Sequence, residues 1–131
     1  MFDKVVEWLE DADEEAYSDR DVRTAVAALY YHMISVDGHV SLREIDRFLT
    51  ILKEQFALSD DQARELTRRG VQQEGESAGL FPFTAILNRE FDDAKRRNVL
   101  RHLHELADSD GARDPLERDL LQHIQTMLKL D

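Results

Sequence analysis

The stretch "VDGHVSLREIDRF" (Val36–Phe48) returns 73 residues later as "SDGARDPLERDLL" (Ser109–Leu121). Each contains Asp-Gly, and each carries a Glu seven residues after that Asp: Glu44 after Asp37, and Glu117 after Asp110. Apolar residues flank both stretches at three- and four-residue spacing, the period of a helix that buries one face. Each Asp-Gly therefore joins two amphipathic helices. Aligning the turns also places Tyr30 over Leu103, Met33 over Leu106, Phe48 over Leu121 and Ile51 over Ile124. The pattern predicts an internal repeat of two helix–turn–helix units whose faces bury one another.

The rest of the chain keeps the same period, with no sustained alternation that would mark a strand. Phe2, Val5, Val6 and Leu9, with Trp8 beside them, form the stripe of a short N-terminal helix, and "EDADEEAYSDRD" (Glu10–Asp21) follows as an acidic linker. A helix from about Asp21 carries Val22, Ala25, Val26, Leu29, Met33 and Val36 and stops at Gly38, the residue most tolerant of a left-handed helix end. Ile45, Phe48, Leu49, Leu52 and Phe56 mark the next. Ser59 and Gln62 open a third at capping-box spacing, with Gly70 near its end. "EGESAGL" (Glu74–Leu80) reads as a loop. Pro82 then sits in the first turn of a short helix bearing Phe83, Ile86 and Leu87. Val99, Leu100, Leu103, Leu106 and Ala107 lead into the second Asp-Gly. The last helix begins at Pro115 and carries Leu116, Leu120, Leu121, Ile124 and Leu128. The expected fold class is all-α and single-domain, with residues 1–18 an N-terminal amphipathic helix and acidic linker and residues 19–131 the helical domain proper.

Composition supports a folded chain. Of 131 residues, 42% are apolar and 34% charged, and a chain of this length buries roughly two-thirds of its unfolded surface. Without cysteine there is no disulfide scaffold, cysteine zinc site or thiol nucleophile. The N-terminal residues lack the basic start and apolar run of a signal peptide, and no stretch approaches the roughly 20 apolar residues of a membrane helix, so the expected location is cytoplasmic. A net charge of −11 repels phosphate backbones, which disfavours nucleic acid and anionic membranes. Metal cations or basic protein partners suit that charge better.

Three segments carry a family resemblance: "LYYHMISVDGHVSLREIDRF", "LFPFTAILNREFD" and "LHELADSDGARDPLERDLL". Together they resemble the tellurite-resistance TerB-like family, and its small stand-alone bacterial members in particular, over about Asp21 to Leu130. Two Asp-Gly-x5-Glu turns spaced by a central Phe-x-Phe-Thr segment (Phe81–Thr84) make the likeness specific. The resemblance implies a bundle of about seven helices with approximate internal symmetry, a link to tellurite and other stress resistance, and an acidic metal site. Similar domains precede a J-domain in some co-chaperones; this chain has no His-Pro-Asp, so that activity does not carry over.

The turns also invite comparison with an EF-hand, whose twelve-residue loop has Gly at the sixth place and a bidentate Glu at the twelfth. With Gly111 sixth, Asp108, Asp110, Asp114 and Glu117 fall third, fifth, ninth and twelfth; with Gly38 sixth, Ser35, Asp37, Ser41 and Glu44 do so. The first place is Leu106 in one copy and Met33 in the other, and neither supplies oxygen, so this is no EF-hand. Ser41-x-x-Glu44 and Asp114-Pro115-x-Glu117 are also capping boxes, which gives every motif residue a purely structural task. Yet the second copy gathers four carboxylates within ten residues where capping needs two. Like charges at that density call for arginine, here Arg113 and Arg118, or for a cation.

The candidate metal ligands are accordingly Asp37, Glu44, Asp108, Asp110, Asp114 and Glu117, with Ca2+ or another divalent cation as the cofactor. The histidines are poorer ligands: His104 and Asp108 share a helix face with no second His, His102 falls on the polar side of its helix, and His32 and His123 are isolated. There is no Gly-rich phosphate loop, His-Glu-x-x-His or serine elbow, so no enzyme activity is expected. The functional expectation is a non-catalytic protein of stress tolerance that binds a divalent metal weakly. The alternative is a helical protein–protein interaction module in which the turns are caps and nothing more.

Overall fold

The computed structural model describes residues 17–108 and 115–131, and the described chain is helical with no strand. Six helices are present among these residues, not about seven: α1 (Asp19–Ser35), α2 (Leu42–Phe56), α3 (Asp60–Glu76), α4 (Phe81–Glu90), α5 (Asp93–Ala107) and α6 (Pro115–Met127). The expected N-terminal helix and most of its acidic linker lie outside the described residues, as do Asp110 and Asp114.

Helix α1 is the axis of the molecule. Ala25, Val26, Ala27, Ala28, Leu29 and Tyr30 are all fully buried, so the middle of this helix is apolar all round, as a segment enclosed by its neighbours must be. It packs on α3, α4, α5 and α2, while α6 packs on α5 and α4. The aligned pairs Tyr30 and Leu103, Met33 and Leu106, Phe48 and Leu121, Ile51 and Ile124 are all buried. A core this size needs those positions filled with or without a duplication, so burial alone does not make the two hairpins copies.

Helix starts follow the chemistry of their caps. Ser18, Ser41, Ser59 and Asp92 each accept a backbone N–H of the first turn, and the boxes Ser41/Glu44 and Ser59/Gln62 are both complete. Each such cap contributes on the order of 1 kcal/mol. Two expectations need correction. Gly70 is not near the end of α3, which runs on to Glu76 and absorbs the start of the expected loop. It sits where α3 presses on α1, and any Cβ there would stand 2.7 Å from Ala27 Cβ. Leu116, assigned to the apolar stripe of the last helix, is 55% exposed, because the second residue of α6 faces outward.

Candidate functional site

At the first turn α1 ends at Ser35, and Gly38 takes φ +83°, donating its N–H to the Ser35 carbonyl at 3.1 Å. Asp37 Oδ1 accepts the His39 N–H at 2.9 Å and remains exposed. Ser41 Oγ accepts the Glu44 N–H at 3.0 Å, and Glu44 Oε1 accepts the Ser41 N–H at 2.9 Å. Met33 is buried at the position an EF-hand would give to its first ligand, and so is Leu106 in the second copy. The helices do run too deep into the turns for that loop.

At the second turn α5 ends at Ala107, and Asp108, exposed, donates its N–H to the His104 carbonyl at 3.0 Å. Glu117 is the third residue of α6, as Glu44 is the third of α2. Both carboxylates are buried, at 5% exposure for Glu44 and 7% for Glu117. Gln62 holds the same place in α3, performs the same capping and is exposed. Burial of Glu44 is thus more than its cap requires.

The start of α2 and the end of α5 lie at one end of the bundle. Arg47 Nη2 donates to Glu105 Oε2 at 3.0 Å, and further along Gln55 Oε1 stands 3.1 Å from His102 Nδ1. The pairs run in opposite order along α2 and α5, so the head of α2 lies beside the tail of α5. Of the six candidate ligands, the structure places Asp37 and Glu44 at the first turn and Asp108 and Glu117 at the second. Among the described residues, no three His, Asp or Glu side chains gather closely enough to hold a metal. A complete site would require Asp110 and Asp114.

One polar cluster escapes the sequence pattern. Tyr30 is fully buried in the core, and its hydroxyl donates to Gln55 Oε1 at 2.7 Å and lies 2.9 Å from His102 Nδ1. The Tyr30 and His102 rings meet edge to face with centroids 5.8 Å apart. His102 is thus half-buried and hydrogen-bonded on the polar side of its helix. Burial and then Arg101 lower its pKa below the ordinary value, and burial raises that of Tyr30 well above its own. His32 Nδ1 lies 3.1 Å from Glu74 Oε1. Open clefts of about 340 Å3, between Arg23, Leu66 and Arg69, and about 540 Å3, between Phe81, Met127 and Lys129, lie away from the turns.

A family model described as "Tellurite resistance protein TerB" matches residues 23–131. No curated protein matches the chain. Among solved structures, a protein of unknown function from Porphyromonas gingivalis W83 has a similar fold, with a TM-score of 0.66 at 22% identity over 89% of this chain and 88% of that one. No helix among the described residues is long and apolar enough to cross a membrane.

Proposed function

This chain belongs to the TerB family, and from that premise we propose that it is a binding protein that takes up a divalent cation weakly at its two acidic turns, in the service of tolerance to tellurite or related stress. The carrying observation is the shared burial of Glu44 and Glu117 at one register of two helices. A carboxylate removed from water is costly unless it is hydrogen-bonded, paired or coordinated. Gln62 makes the cap that Glu44 makes, without charge and in solvent, so that cap asks for neither a carboxylate nor its burial. The available donors are all hard oxygens, which fits Ca2+ or Mg2+ rather than a thiophilic metal. Asp110 and Glu117 would be the principal ligands, with Asp108 and Asp114 in support and Asp37 and Glu44 as their counterparts at the first turn.

The test is thermal unfolding in Ca2+, Mg2+ and Mn2+ against EDTA. A bound ion raises the melting temperature with concentration. Asp110→Asn and Glu117→Gln should each abolish the rise, whereas Glu76→Gln, at the end of α3, should leave it intact. A melting temperature indifferent to all three ions at millimolar concentration sinks the reading.

A second reading is a protein–protein interaction module in which the turns serve as caps. It is supported by the first turn, where the Asp37–His39 bond and the complete Ser41/Glu44 box give both carboxylates a backbone donor without an ion.

A further inference from the structure

The groove of about 540 Å3 runs along α4 and is closed on its far side by the end of α6. Phe81, Ala85 and Met127 give it an apolar lining, and among the described residues Arg89 and Lys129 are its only charged ones. Phe81, the first residue of α4, is 64% exposed. Pro82 already suits the helix start, so nothing there calls for an aromatic side chain. An apolar patch of this kind with a charged rim marks a contact surface. Tyr17, the first described residue, stands at the Arg89 end of the groove. The Arg89 guanidinium lies 6.0 Å from the Tyr17 ring centroid, and the Tyr17 N–H donates to Glu90 Oε1 at 3.0 Å. The chain therefore delivers residues 1–16 to the rim of the groove.

The sequence of those residues suits what the groove offers. Phe2, Val5, Val6 and Leu9 fall at the spacing of one helix face, with Trp8 beside them, and seven carboxylates stand against Lys4, a net −6. As a helix, Phe2–Leu9 would be about 12 Å long, against about 15 Å for α4. Residues 10–16 reach up to about 25 Å when extended, which spans the groove from end to end. The cleft between α1 and α3 is the competing seat. Arg23 and Arg69 line it together with Asp61 and Glu65, so its charges cancel and it gives an acidic segment no preference. Near Arg89 the one neighbouring carboxylate, Glu90, is already engaged by Tyr17 and by Arg89 itself at 3.6 Å.

We propose that the groove along α4 is the seat of the chain's own N-terminal segment, whose stripe of Phe2, Val5, Val6 and Leu9 covers Phe81 and Met127 while its carboxylates face Arg89 and Lys129. An amphipathic helix laid in an apolar groove binds through such anchors at helical spacing. The tether holds the segment at an effective concentration on the order of millimolar, so a contact too weak to form between separate molecules is enough. The inference goes beyond both readings of the function and needs neither a cation nor a partner protein.

Trp8 is the chain's single tryptophan and serves as the probe. The test is acrylamide quenching of its fluorescence in the full chain, in EDTA, with a peptide of residues 1–16 as the exposed reference. Trp8 should be quenched less in the full chain than in the peptide, and equally so at every protein concentration. Phe81→Ser should shift the docking equilibrium about tenfold or more toward the open form, so that quenching rises toward that of the peptide. Ala85→Gln, which narrows the groove at little cost in helix propensity, should do the same. Leu42→Ser, at a side chain 88% exposed on α2, should change nothing. Circular dichroism checks that each variant is folded. Quenching in the full chain as free as in the peptide would overturn the proposal. Shielding that ignores both Phe81→Ser and Ala85→Gln would place the segment elsewhere and overturn the groove as its seat. Shielding that disappears on dilution would assign the groove to a second copy of the chain and overturn docking within one molecule. Ion-dependent melting is read separately, so none of these outcomes decides the cation.

Discussion

Gly70 lies against Ala27 so closely that a Cβ on the glycine would meet the alanine Cβ at 2.7 Å and its carbonyl carbon at 3.0 Å. Two small residues, 43 positions apart in the sequence, thus set the spacing of α1 and α3. Gly70→Ala gains up to about 1 kcal/mol of helix propensity and loses more to overpacking, which typically costs about 1–3 kcal/mol. The expected net effect is destabilisation by roughly 1–2 kcal/mol in a urea unfolding curve. Gly75→Ala, with nothing within 4 Å of the added Cβ, should instead be neutral or stabilising by a few tenths of a kcal/mol. If both substitutions stabilise alike, the close approach of α1 and α3 does not exist.

These two glycines mark what the sequence discloses and what it hides. Helix positions are carried by local patterns: the serine caps, Pro82 and the apolar period place five of the six described helices near their observed bounds. The contact that makes Gly70 necessary comes from a residue on another helix, so local reading took it for a stop signal. The carboxylates divide the same way. The Asp-Gly turn and its capping box are local and legible, but the burial of Glu44 and Glu117 depends on what packs over the helix heads. Leu116 was assigned inward because its period allowed it. Nothing local names the partners of His102, because Tyr30 and Gln55 are 72 and 47 residues away.

Arg47 and Glu105 join α2 to α5, yet neither is buried, at 49% and 31% exposure. Such pairs contribute about 0–1 kcal/mol, and Glu105 also accepts from Arg101 at 3.3 Å. Arg47→Ala should therefore lower stability by less than about 1 kcal/mol, with a coupling to Glu105→Ala of roughly 0.5 kcal/mol that fades in high salt. A double-mutant cycle at low and high ionic strength measures it. A coupling of several kcal/mol that persists in salt would mean that the pair is far less hydrated than its exposure indicates.

The His102 ring gives the molecule a pH dependence whose sign follows from its surroundings. Burial is the chief cause that lowers its pKa from 6.5, Arg101 adds to it along with Arg47, and Glu105 and Glu54 oppose them. The folded protein therefore holds the proton less tightly than the unfolded chain. Stability from the neutral ring is fully present above pH 6.5 and is lost as pH falls from there through the lower folded value. With the Tyr30 hydroxyl proton directed at Gln55 Oε1, Nδ1 meets both oxygens as a donor, so the penalty of protonation is the desolvation of the charged ring and not a lost hydrogen bond. The carboxylates Asp60 and Glu65, whose pKa values are lowered by Lys53 and by Arg68, act in a separate window below their ordinary 3.8 and 4.5. Stability should thus decline as pH falls below 6.5, ahead of the window in which Asp60 and Glu65 titrate, with a slope of at most about 1.4 kcal/mol per pH unit for one site. His102→Gln should flatten that segment while keeping a polar group near Tyr30. Tyr30→Phe should cost about 1 kcal/mol at neutral pH, because Gln55 and His102 can still bond each other. A decline of the same steepness in His102→Gln would place the titrating group elsewhere.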